Sequence, residues 1–250
     1  MRAPTDRLEA GLPQRLAQCH RIVEALNRLR RSAERAGCAC SGSGRTMATM
    51  HTPAFFDAVP AIAVTDPLAA LLGATAGGRI EYRYLDAVKL AGHSCPTVAG
   101  AWLMTRSALA RLYPDGAPQR GGLRVELRQA ADEGVAGVIA SIAGLITGAA
   151  NDAGFKGLAG RFGRQGLLRF GVAMAGEIRF TRLDNGAAVE LAHFPQAVPR
   201  PAGLADLMRA ALAPQADAAT LAAFAGAWQD WVRTILIDHA DDPALIAVVA

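Results

Sequence analysis

The residues best equipped for chemistry in this chain are His93-Ser94-Cys95-Pro96. An imidazole and a thiol stand two positions apart, and the proline that follows suits the first turn of a helix. A thiol just ahead of a helix faces unpaired backbone N–H groups and the positive end of the helix dipole, and both favour thiolate. Thiolate binds a metal or attacks an electrophile. Three readings follow from this spacing. His93 and Cys95 are ligands of a metal ion; or Cys95 is the nucleophile of a metal-free thiol enzyme with His93 as its base; or Cys95 is a buried, inert thiol beside a hydrogen-bonded histidine. The spacing leaves all three open.

The elements that position this motif are those of an α+β domain. Asp66-Pro67 supplies an N-cap and a first helical residue for a helix over 68–72, which Gly73 ends. Ile80, Tyr82 and Tyr84 alternate with polar residues, so 79–85 reads as a strand, and 89–95 as the turn leaving it. Pro96 then opens a helix over 97–112, stopped by Pro114-Asp115-Gly116. A second strand is expected over 123–127 and a small-residue helix over 134–145. Further strands are expected over 167–170, 177–182 and 187–191. Three prolines between Phe194 and Pro201 mark a boundary, and helices follow over 204–212 and 218–237, with Trp228 and Trp231 as core residues. The expected fold is an antiparallel or mixed sheet packed with helices.

Between Gly154 and Gly166 a glycine-rich loop carries Lys156, Arg161 and Arg164. Such a loop can present cations to a small anionic ligand, or be a solvated surface. His51 lies close enough before the domain to complete a metal site, whereas His193 and His239 have no partner in sequence. Gly-x-Ser-x-Gly, Walker A and His-Glu-x-x-His motifs are all absent.

The run Leu90-Ala91-Gly92-His93-Ser94-Cys95-Pro96, followed by Val98-Ala99-Gly100 and an apolar helix, resembles the FmdE-like family, named for a small component of formylmethanofuran dehydrogenase. That family reads Gly-His-x-Cys-Pro-Gly at this place. The order of later motifs is similar: Glu126 to Gly134, Thr147-Gly148, Phe155-Lys156-Gly157 and Arg161-Phe162-Gly163-Arg164. The resemblance implies an FmdE-like core followed by C-terminal helices, and a bound divalent metal, zinc foremost. Where the family places a second cysteine, this chain has Glu133, so the implied ligands are His93, Cys95 and Glu133, carboxylate being an acceptable zinc ligand. The implied role is accessory or ligand-binding, in one-carbon or redox metabolism, because the family's dehydrogenase chemistry resides in a separate molybdenum or tungsten polypeptide. Two departures stand out: the family's Asp-Tyr-Gly-Lys turn is Arg-Phe-Gly-Arg here, and helices replace the zinc ribbon of many relatives.

Composition bounds the partners. Of 250 residues, 52% are hydrophobic, enough for one sizeable core. Residues 1–46 hold nine arginines against Asp6, Glu9, Glu24 and Glu34, a net +5, whereas residues 47–250 are net −1. The basic pI of about 9.2 therefore belongs to the N-terminal arm, and nucleic acid is not expected as partner of the body. The arm reads as a basic amphipathic helix or as sequence upstream of a start at Met47 or Met50. The expected organisation is an arm over 1–46, an FmdE-like domain over 47–195 and a helical extension over 196–250. The apolar stretch from Val135 to Ala150 is broken by Gly137, Gly144, Thr147 and Gly148, so no membrane span is expected. With no secretory leader pattern and one cysteine in the body, a cytoplasmic protein is expected. The close-packing helix near Gly134 and the apolar tail helices predict a homodimer.

Overall fold

The computed structural model describes residues 50–249, and residues 52–250 form one compact unit. The expectations for the basic arm, 1–46, lie outside the described residues. A 3-10 turn at Ala54–Ala58 leads into β1 (Ile62–Thr65), α1 (Pro67–Leu71) and β2 (Arg79–Tyr82). Strands β1 and β2 form an antiparallel pair with Ile62 opposite Tyr82. Then come α2 (Tyr84–Ala91), α3 (Pro96–Leu112), β3 (Leu123–Leu127), α4 (Ala136–Thr147), β4 (Leu168–Arg169), β5 (Ile178–Arg182) and β6 (Ala188–His193). The chain ends with α5 (Leu204–Ala211), α6 (Ala218–Arg233), a π turn at Thr234–Asp238 and β7 (Ile246–Val248).

The main sheet has the order β4-β3-β5-β6-β7. Only β3 and β4 run parallel; the other neighbours are antiparallel. The architecture is thus mixed α+β. Alternation decides its two faces. Leu123, Val125 and Leu127 turn inward, in register with Arg182, Phe180 and Ile178, and the buried Phe180, Ile178 and Leu191 continue the same face. Helices α3 and α4 cover that face with Trp102, Met104, Ile139, Ile142 and Ile146, all fully buried. On the opposite face Glu126, Arg179 and Glu190 stand abreast on three strands. Arg179 donates to Glu126 Oε2 at 2.9 Å and to Glu190 Oε1 at 3.1 Å, a cross-strand ion ladder.

Two elements depart from expectation. The strand expected over 79–85 stops at Tyr82, and α2 replaces the turn expected over 89–95. Its cause is Asp86, whose carboxylate accepts from the Arg83 amide at 2.9 Å three residues back, satisfying a donor at the helix start. The tail is also more than helices: β7 pairs with β6, with Val248 opposite Leu191, so elements on both sides of the prolines share one sheet. No helix among the described residues is long and apolar enough to cross a membrane.

Candidate functional site

The turn that carries His93, Ser94 and Cys95 is held from three sides. Gly92 ends α2 in the left-handed region, φ 75°, with its N–H bonded to the Val88 carbonyl; a side chain there would be strained. Ser94 is buried, and its hydroxyl lies 3.0 Å from the Tyr84 phenol. Tyr84 in turn meets Phe56 and Trp102 edge-on, at 5.1 and 5.9 Å between ring centroids. From the tail, Trp228 Nε1 and the Gln229 amide both donate to the Ser94 carbonyl, at 3.0 and 3.2 Å. The motif's backbone is therefore fixed by helix α6, 134 residues away in sequence.

Cys95 is the N-cap of α3 and Pro96 its first residue, and no side chain caps the helix start. A 17-residue helix without a cap leaves first-turn amides and a positive dipole end to whatever adjoins them. What adjoins them is a cleft of about 390 Å³ lined by Cys95, Pro96, Thr97, Pro195, Arg200, Leu204, Ala205, Met208, Trp228 and Trp231. The Trp228 and Trp231 rings meet edge-on at 5.7 Å, and Arg200 lies 5.6 Å over the Trp231 ring. Both indole N–H groups are already used on backbone carbonyls, Ser94 and Val198, so the rings offer the cleft apolar surface only. Arg200 is the one charged group in this lining.

The metal centre expected from His93, Cys95 and Glu133 is corrected by the structure. Among the described residues, no group of three or more His, Cys, Asp or Glu side chains is placed to hold a metal ion. Zinc requires such convergence. His93 is exposed and its Nδ1 lies 2.9 Å from the Ala91 carbonyl. Glu133 is exposed and closes its own turn, accepting from the Ala130 amide at 3.2 Å. The cleft beside Cys95 contains no carboxylate and no imidazole. These three residues therefore do not form a site for zinc or another divalent metal; two ligand types in sequence order do not make a third one converge. No hydrogen bond joins His93 to Cys95 either, and the imidazole has its partner in Ala91.

The loop cations part company. Lys156 and Arg161 are exposed, and the Arg161 guanidinium sits 4.7 Å from the Phe162 ring centroid. Arg164 is buried and donates to Asp66 Oδ1 at 2.8 Å. Arg120, which no sequence motif singles out, donates to the other oxygen of Asp66 at 3.0 Å.

His193 also has a structural place that sequence does not reveal. Its ring fills the space beside Gly100 on α3, where a Cβ would meet His193 Cε1 at 2.3 Å. Its Nε2 is buried without a hydrogen-bond partner, and burial pushes its pKa down to about 4. At the cleft, Pro195, Arg200, Leu204, Ala205 and Met208 escape sequence reasoning altogether. The paired tryptophans are the available signal, but their spacing reads equally as core. Comparison with known protein families, with characterised proteins and with solved structures finds no match to this chain.

Proposed function

We propose that this chain is a small-molecule binding module whose ligand is an organic anion with an apolar, aromatic body, seated in the cleft beside Cys95. The observation that carries this reading is the lining itself. One arginine and one uncapped helix start face four large apolar side chains, Leu204, Met208, Trp228 and Trp231. Ligand pockets combine a mostly apolar wall with a few placed polar groups, in volumes of about 300–1,000 Å³. The anionic end belongs near Arg200 and the α3 N-terminus; the ring system belongs against the indoles. The likeness of Gly92–Pro96 to the FmdE-like family is part of this proposal, as an accessory or ligand-binding protein of one-carbon or redox metabolism rather than a metal carrier.

The test uses 8-anilinonaphthalene-1-sulfonate, an aromatic dye with a single sulfonate, titrated into the full chain and read by fluorescence. Saturation at one dye per chain is expected. Arg200→Ala and Met208→Arg, both outside the buried core, should each weaken binding about tenfold, equivalent to ~1.4 kcal/mol. Dye binding of unchanged strength in both variants would remove the cleft as the site.

A further inference from the structure

A second cleft, of about 440 Å³, lies between the 161–164 loop and the turn at 119–121, and it is lined by three arginines, Arg120, Arg161 and Arg164, with no carboxylate among its lining residues. We propose that this cleft binds the phosphate group of a small molecule, independently of the Cys95 cleft. The charge balance is the first argument. Arg120 and Arg164 share one carboxylate, Asp66, at 3.0 and 2.8 Å. Arg161 stacks on Phe162 and has no carboxylate partner among the described residues. Three guanidiniums against one carboxylate leave two positive charges, which a phosphate dianion matches and a single carboxylate does not.

The donors are in place for it. A guanidinium has five N–H groups, of which Arg164 gives one to Asp66 and Arg120 gives one each to Asp66 and to the Leu145 carbonyl. Arg120 Nε is buried with no partner. The Arg164 fork reaches its position only because residue 121 is glycine: a Cβ there would lie 1.3 Å from Arg164 Nη1, and φ is +78°. Burial pushes the Arg164 guanidinium below its ordinary pKa, Asp66 opposes this, and the charge of Arg120 adds to it. A bound anion relieves both unfavourable effects.

The loop that supplies Arg161 is held in a strained shape. Leu158 and Arg161 exchange backbone hydrogen bonds at 2.8 and 2.9 Å around Ala159 and Gly160, whose φ values of 48° and 76° are both left-handed. Phe162, with φ 63°, is a third such residue and a bulky one. Left-handed non-glycine residues cost on the order of 1–3 kcal/mol each and gather where geometry serves binding. Here they place Arg161 and its stacked Phe162 ring in the same cleft lining as Arg120.

Isothermal titration of the full chain with inorganic phosphate, pyrophosphate and phenyl phosphate tests the proposal. Binding is expected in the wild type, falling as salt is raised. Arg164 and Gly121 are packed against each other, so their replacement puts folding itself at risk. The decisive variant is the exposed Arg161→Ala, expected to bind at least tenfold more weakly, with Arg161→Lys between. Phenyl phosphate binding more tightly than inorganic phosphate supports an organic phosphate; equal binding supports free phosphate at the same site. Met208→Arg, in the other cleft, should titrate as wild type. No heat with any of the three probes, or an Arg161→Ala variant that binds as wild type, overturns the proposal.

Discussion

Asp66→Ala should lower unfolding free energy by about 3–5 kcal/mol, the loss typical when one partner of a buried ion pair is removed. Asp66 is 4% exposed and does three things at once. It N-caps α1, accepting from the Leu68 and Ala69 amides at 2.9 and 3.3 Å. It binds Arg120, and it binds Arg164, 98 residues away. Without it the two guanidiniums repel in a partly dry setting and the helix start is open. The cap alone is worth ~1 kcal/mol, and the contributions do not add. Urea denaturation at neutral pH measures the sum. The same carboxyl predicts an acid limb. Burial raises its pKa, but Arg120, Arg164 and the two amides together hold it below the ordinary value of 3.8. A depressed acid contributes stability that is present above its unfolded pKa and is lost as pH falls through the folded one. That loss should appear below about pH 4 in the wild type and be absent in Asp66→Ala. A variant within about 1 kcal/mol of wild type, a change expected of an exposed pair, would show that the network contributes little.

The second large effect belongs to His193. Its folded pKa of about 4 lies below the ordinary 6.5, so the unfolded chain binds the proton first. Its contribution is therefore complete above pH 6.5 and is lost as pH falls towards 4. At about 1.4 kcal/mol per tenfold in proton affinity, the loss amounts to about 3 kcal/mol. Glu177, whose carboxylate accepts from the His193 backbone amide at 3.3 Å, acts the other way. Burial raises its pKa against the pull of that amide and of Arg128, so it gains stability as pH falls and offsets part of the loss. Comparison with His193→Gln isolates the imidazole. Denaturation curves taken from about pH 7 to about pH 4 should converge for the two proteins, the wild type losing its advantage. Parallel curves would mean that the imidazole is not held neutral.

Local signals make much of the fold legible. Asp66-Pro67 marks α1, Pro96 marks α3, and the alternation from Leu123 to Leu127 marks β3 residue for residue. The misreadings share a physical origin in partners distant along the chain or across a helix turn. Tyr82 and Tyr84 alternate as a strand would, yet Asp86 reaches back to Arg83 and starts α2. Strand β7 is three residues long and exists because β6 offers it an edge to pair with. At the site, the Cys95 turn is readable because a glycine, a proline and a thiol announce themselves. Its cleft is not, because Arg200, Met208 and Trp228 arrive from tail segments whose docking is settled by tertiary packing. The expected third ligand fails for the same reason: Glu133 follows a strand in sequence order, but its carboxylate folds back on the Ala130 amide.

Protection of the Cys95 thiol reads out most directly whether a small anionic ligand sits beside it. Cys95 is half-buried and carries no disulfide, so N-ethylmaleimide can label it, and peptide mass mapping reads it separately from Cys19, Cys38 and Cys40. With 8-anilinonaphthalene-1-sulfonate at saturation, labelling of Cys95 should slow at least tenfold in the wild type and not in Met208→Arg. Labelling of Cys95 at one rate with and without bound dye would contradict the proposed site, because the ligand would then sit elsewhere.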